Sequence, residues 1–120
     1  MKHRLYKSKL VSILEIPEGF VSPREIVKMR DAVRKELVDG ANKMVVDLGR
    51  STHMNSMLVG ALVEMYTSFA NISGHILYAA PPASVRNLFH GLRLDQVFEV
   101  TPTVDRALAL LEEQRSRASA

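Results

Sequence analysis

Cysteine is missing from this sequence, and with it every disulfide framework, thiolate metal site and cysteine nucleophile. Tryptophan is missing too. The few tyrosines and phenylalanines are not interleaved with basic residues, as the stacking platforms of nucleic-acid binders require. Direct nucleic-acid binding is therefore not expected. No apolar run approaches the ~20 residues that span a bilayer, so membrane insertion is not expected either. The opening "MKHRLYKSKL" is basic, but no long apolar stretch follows it, which argues against a secretory signal. Neither a Walker-type loop nor Gly-x-Gly-x-x-Gly is present. The four histidines, His3, His53, His75 and His90, show no paired ligand spacing. No cofactor and no metal are expected.

What remains is an ordinary globular composition, with 47% hydrophobic and 24% charged residues over 120 positions. That length suits one domain, 1–120, with a core over about 8–112 and a frayed tail at 113–120. A soluble, cytoplasmic protein is expected. The formal charge is only +3, part of it from Lys2, Arg4, Lys7 and Lys9, which read as a solvated basic end.

Strand and helix signals alternate along the chain. "KLVSILEIP" reads as a strand closed by Pro17. Ser22, Pro23 and Glu25 then form helix-start chemistry, with a capping box between Ser22 and Glu25. Ile26, Met29, Val33 and Leu37 recur at helical spacing, and Gly40 is the stop. "KMVVDLG" is a second strand. Leu58, Ala61, Leu62, Met65 and Phe69 mark one face of a second helix, ended by Asn71 to Gly74. "HILYAA" is a third strand, and Val85, Leu88, Phe89 and Leu92 give a third helix. "QVFEV" is a last strand. Val104, Ala107, Leu108 and Leu111 supply a final helix, with Thr101 or Thr103 as its cap. This alternation predicts an α/β domain with a mixed, mostly parallel sheet of four to five strands and about four helices.

Open α/β sheets place function in the loops after their strands, which points to Leu48–Met57. Asn55 and Ser56 stand where the second helix starts, and either can cap it. A hydroxyl there faces unpaired backbone N–H groups and the positive end of the helix dipole. A phosphate on Ser56 would add about −1.5 to −2 charges and be tolerated by the fold. Ser51 and Thr52 are alternative acceptors farther from the helix start. Met54, Met57 and Val59 add adaptable apolar surface, unless they belong to the core. Asp47, His53 and Ser56 invite a triad reading, but Gly-x-Ser-x-Gly is absent and an enzyme is not expected. Lys28, Arg30, Arg34 and Lys35 are interspersed with Glu25, Asp31 and Glu36, the pattern of a mixed-charge exposed face.

Over Leu10 to Leu111 the chain resembles the STAS family, the sulphate transporter and anti-sigma factor antagonist domain. The resemblance is carried by "MVVDLGRSTHMNSMLVGALVEMY", by "SGHILYAAPPASVRNLFHGLRLDQVFEV" and by "TPTVDRALALL". At this size it is similar to the free-standing bacterial anti-sigma factor antagonists. There, an anti-sigma factor with serine kinase activity phosphorylates the serine of an Asp-Ser pair. The unphosphorylated antagonist binds that factor and frees the sigma factor.

Carried over, the resemblance implies Ser56 as phosphoacceptor, with Asn55 in place of the family's aspartate. Met57 and Leu58 replace the serine and glycine that commonly follow, and Gly60 matches the next glycine. The implied partner surface is Thr52, His53, Met54, Asn55, Ser56, Met57 and Gly60. The alternative reading is a non-phosphorylated STAS scaffold, or a subunit of a larger signalling or lipid-transport complex. Homodimerisation is left open.

Overall fold

Strands and helices alternate as the sequence pattern requires. The computed structural model describes residues 2–119, with side chains to residue 113. The strands β1 (Arg4–Ser8), β2 (Val11–Glu15), β3 (Lys43–Asp47), β4 (His75–Ala79) and β5 (Glu99–Thr101) lie in that order across one sheet. β1 runs antiparallel to β2, and the other three pairings are parallel. The helices are α1 (Pro23–Val38), α2 (Ser56–Asn71), α3 (Ala83–Gly91) and α4 (Val104–Ser119), with a 3-10 turn at Leu94–Gln96. The frayed tail expected at 113–120 lies, from residue 114 on, outside the described side chains. No helix among the described residues is long and apolar enough to cross a membrane.

Both faces of the sheet are covered, which explains why "MVV" and "ILYA" read as continuous apolar runs. Successive strand side chains point to opposite faces. Leu14, Met44, Val46, Ile76 and Tyr78 therefore meet α1, α2 and α3 on one side. Val11, Ile13, Val45, Leu77 and Ala79 meet Ala107 and Leu111 of α4 on the other. On the three-helix side, Phe98 stacks on Tyr78 at 4.1 Å and 18°, and meets Phe89 edge-on at 5.4 Å. The Tyr78 hydroxyl donates to the Leu62 carbonyl at 2.7 Å. Burial pushes that hydroxyl's pKa far above the usual tyrosine range, and nearby Tyr66 adds to the shift.

Three local details differ from the sequence reading. The basic N-terminus keeps its cations exposed, but it is the edge strand β1 and not a loose end. Leu5 packs on the three-helix side and Tyr6 on the α4 side. Its cations are engaged: Arg4 lies 4.3 Å from the Tyr6 ring centroid, Lys7 3.6 Å from Glu36 and Lys9 3.2 Å from Glu112. Charge along an exposed sheet edge also discourages unwanted strand pairing. The last strand begins later than "QVFEV" suggests, because the Phe98 N–H bonds back to Leu94 at 2.7 Å and its ring enters the aromatic cluster.

The capping box, finally, is half formed. Ser22 accepts from the Glu25 N–H at 3.1 Å, but the Glu25 carboxylate turns to His3 instead. It accepts from the His3 N–H at 2.8 Å and pairs with the His3 ring. Burial by itself would raise the Glu25 carboxyl, yet the hydrogen bonds and charge from His3, with Lys28, hold it below its ordinary value. Gly40, at φ +97°, follows α1 as the expected stop. Of the two caps offered for α4, Thr103 serves, accepting from the Arg106 N–H at 3.0 Å.

Two outcomes follow from these contacts. A carboxyl whose folded pKa is depressed contributes stability above its unfolded value, about 4.3, and loses it as pH falls through the folded value. Amide-exchange protection of β1, measured by NMR, should therefore decline on acidification through that window, and Glu25→Gln should remove this pH dependence. Tyr78→Phe should cost about 1 kcal/mol in denaturant unfolding, the net worth of one buried hydrogen bond.

Candidate functional site

The chain leaves β3 in a tight polar turn. The Asp47 Oδ1 accepts from the Gly49 N–H at 2.9 Å, and a Cβ on Gly49 would stand 3.1 Å from that same oxygen. Leu48 is buried, and the Ser51 N–H returns to its carbonyl at 3.0 Å. Ser51 itself is 1% exposed, and its Oγ has no partner among the described residues. It is shielded from any enzyme that would modify it. Thr52 is exposed, and its Oγ1 accepts from the Gly19 N–H at 2.8 Å while lying 3.0 Å from the His53 Nδ1.

Asn55 is the residue that starts α2. Its backbone is extended, its Oδ1 accepts from the Leu58 N–H at 2.8 Å, and its carbonyl accepts from the Val59 N–H at 3.0 Å. The other end of the same amide donates to the Val21 carbonyl at 3.5 Å. Ser56 is then the first helical residue. It is exposed, and its hydroxyl makes no hydrogen bond among the described residues. Between the two candidate caps, the capping role belongs to Asn55, so the serine is left free. The N–H groups of Ser56 and Met57 likewise find no acceptor among the described residues, as expected for the first turn of a helix. No acidic side chain occupies that turn, so the positive end of the dipole carries no internal counter-charge.

The methionines divide. Met54 is partly buried against the core, whereas Met57 is 45% exposed. Met54, Asn55, Ser56 and Val59 line an open groove of about 360 Å³ with Leu88 and Leu92 from the α3 region. Gly60 is exposed on the helix, and a Cβ there would meet nothing within 4 Å. Packing therefore does not require this glycine, although it weakens the helix by about 1 kcal/mol relative to alanine.

Asp47, His53 and Ser56 form no relay. Asp47 bonds Gly49, His53 meets Thr52, and Ser56 bonds neither. His3 pairs with Glu25 and His90 with Asp95 at 2.9 Å. No group of three or more His, Asp or Glu side chains among the described residues could hold a metal. The charges of α1 are satisfied in part: Arg30 reaches Glu64 at 2.9 Å, Arg34 reaches Asp31 at 3.4 Å, and Glu36 accepts from Ser12 at 2.7 Å. One contributor was not visible in the linear pattern. The β2–α1 connection around Gly19 and Val21 is hydrogen-bonded to the 52–55 loop. The only sequence cue was its place after a parallel strand, on the same edge as the loop after β3.

This fold and loop define a recognisable class. The STAS domain model matches residues 7–107, and the chain belongs to that family. Among solved structures, it is similar to an anti-sigma factor antagonist from Mycobacterium paratuberculosis, with a TM-score of 0.80 and 21% identity, covering 92% of this chain and 93% of that one. It is also similar to the phosphorylated form of the Bacillus cell fate determinant SpoIIAA, with a TM-score of 0.75, 15% identity and coverage of 91% and 98%. A third relative is Moorella thermoacetica RsbS, in a serine-to-glutamate variant, with a TM-score of 0.84, 10% identity and coverage of 97% and 99%. At these identities the likeness is one of fold. No curated protein sequence matches significantly.

The division of labour between Asn55 and Ser56 is directly measurable. Asn55→Ala should lower unfolding stability by about 1 kcal/mol through loss of the cap. Ser56→Ala, at an exposed first-turn position, should stay within about 0.5 kcal/mol of the parent. Denaturant melts of the two variants side by side test the assignment.

Proposed function

We propose that this protein is an anti-sigma factor antagonist. It binds an anti-sigma factor that is also a serine kinase, through Thr52, His53, Met54, Asn55, Ser56, Met57 and Gly60. Phosphorylation of Ser56 by that kinase dissolves the complex. The reading is supported by membership of the STAS family and by solved relatives that are anti-sigma factor antagonists. One observation carries it to a residue: Ser56 presents a hydroxyl with no internal hydrogen bond, at a helix N-terminus with no acidic neighbour in its first turn.

The physical chemistry of the switch is simple. The Ser56 Oγ would attack the γ-phosphorus of ATP held by the kinase, its proton passing to a base of the kinase as ADP leaves. This chain has no phosphate-cradling loop, so the nucleotide belongs to the partner. The new phosphate meets the free N–H groups of α2 and the positive end of its dipole, so the helix stays intact. In the complex the same dianion must be desolvated. Unless a cation meets it there, affinity falls by orders of magnitude. The setting would be the cytoplasm, where sigma factors act.

One observation favours a second reading, a constitutive, unphosphorylated STAS scaffold. The Asn55 amide donates to the Val21 carbonyl, a bond that an ionised aspartate cannot make. Asparagine therefore has a structural use here, independent of any kinase.

The test is to incubate the protein with the purified anti-sigma factor kinases of its source organism and ATP, then map phosphate by peptide mass. Label on Ser56, absent from Ser56→Ala, and binding weakened at least tenfold by Ser56→Asp are expected. Unlabelled Ser56 with full binding by Ser56→Asp would leave the scaffold reading. Gly60→Arg should reduce binding while leaving the melting temperature unchanged or higher, since the position faces open space.

A further inference from the structure

Phe20 is the one exposed ring among the described phenylalanines and tyrosines, at 64% exposure, and every other Phe and Tyr there is at least partly buried. Its exposure is enforced by its surroundings. Ile16, Pro17 and Val21 on either side are buried in the core, so Phe20 is left outside. Gly19, at φ +78°, makes the turn that precedes it. The two flanking residues are also tied to the Ser56 loop, the Gly19 N–H to the Thr52 Oγ1 at 2.8 Å and the Val21 carbonyl to the Asn55 Nδ2 at 3.5 Å. The backbone that carries this apolar ring is thus held beside the proposed switch. Rigid display of this kind lowers the ordering cost of binding, and aromatic residues dominate the energetics of interfaces.

The start of α1, which follows the ring along the chain, offers exposed cations, while Asp31 farther along the same face pairs with Arg34 at 3.4 Å. Arg24, Val27 and Lys28 are exposed and share one face of α1 at i, i+3 and i+4. Arg24 has no ion-pair partner among the described residues. Lys28 acts only through its field on the buried Glu25. The nearest acid along the chain, Glu18, is 3.9 Å from Arg50. Val27, itself exposed, adds apolar surface between these two cations on the helix.

We propose that Phe20 is an aromatic anchor of the partner interface, flanked by Arg24 and Lys28, and that it enters an apolar pocket rimmed by carboxylates on the anti-sigma factor. The proposal rests on the function proposed above and names the chemistry of the partner at that same site. It also supplies the repulsion the switch needs. Carboxylates that attract Arg24 and Lys28 repel a dianion on Ser56, so attraction before phosphorylation and rejection after it come from the same charges.

The experiment measures the kinetics of binding to the purified anti-sigma factor kinase for the full chain and its variants. Phe20→Ala should weaken binding at least thirtyfold, chiefly through faster dissociation, with an unchanged melt. Arg24→Glu should slow association, and the difference should shrink as salt is raised. Phe20→Trp, the only tryptophan in such a chain, should shift its emission to the blue when the partner is added. If Ser56→Asp abolishes binding but Phe20→Ala binds within threefold of the parent, the anchor is overturned and the switch reading stands. If neither change affects binding, the site itself is wrongly placed and both fall.

Discussion

The primary amide of Asn55 is the interaction on which the site depends. Its oxygen ends the search of the Leu58 N–H for a partner, and its nitrogen reaches the carbonyl of Val21 in another loop. One planar group thus sets where α2 begins and ties that beginning to the entrance of α1. Were the helix to start a residue later, Ser56 would become the cap and its hydroxyl would be consumed. The free hydroxyl of Ser56 is a consequence of its neighbour's geometry.

Around that junction the sheet supplies rigidity. Three parallel strands, β2 to β4, buried on both faces, bring the loops after β2 and β3 to the same edge. The contacts that shape the site are short links between those loops, while apolar bulk lies beneath them in Leu48, Leu58 and Leu62. The aromatic cluster of Phe98, Tyr78 and Phe89 lies between the sheet and the helices, anchoring α3, whose end contributes Leu88 and Leu92 to the groove. The exposed side chains of the loop are in this way carried on a buried apolar base, with Asn55 and Met54 belonging to both.

Much of this was legible in the chain before its structure. Apolar periodicity located all four helices and the three central strands, because burial on one helical stripe or on two sheet faces leaves a direct imprint on residue choice. The edge strand β1 left no such imprint. An edge needs only Leu5 and Tyr6 to pack, and the charges between them resemble a solvated tail. The capping box failed for a related reason. Spacing shows that Glu25 can turn back to Ser22, but not that the pairing of β1 with β2 brings His3 beside the end of β2 to claim it. The choice between Asn55 and Ser56 was undecidable locally, since both are good caps. A tertiary contact, the Val21 carbonyl, decides it.

The mixed direction of the sheet also orders the chain in time. β1 and β2 are joined by only two residues, Lys9 and Leu10, and such a hairpin closes in about 1–10 μs. Each parallel pairing must instead wait for a crossover helix to fold back across the sheet, so the loop-closure cost falls on the centre and not on the edge. The charged strand hidden in the basic N-terminus is therefore positioned to be an early template. Against it, the slower, fully buried strands can find their register.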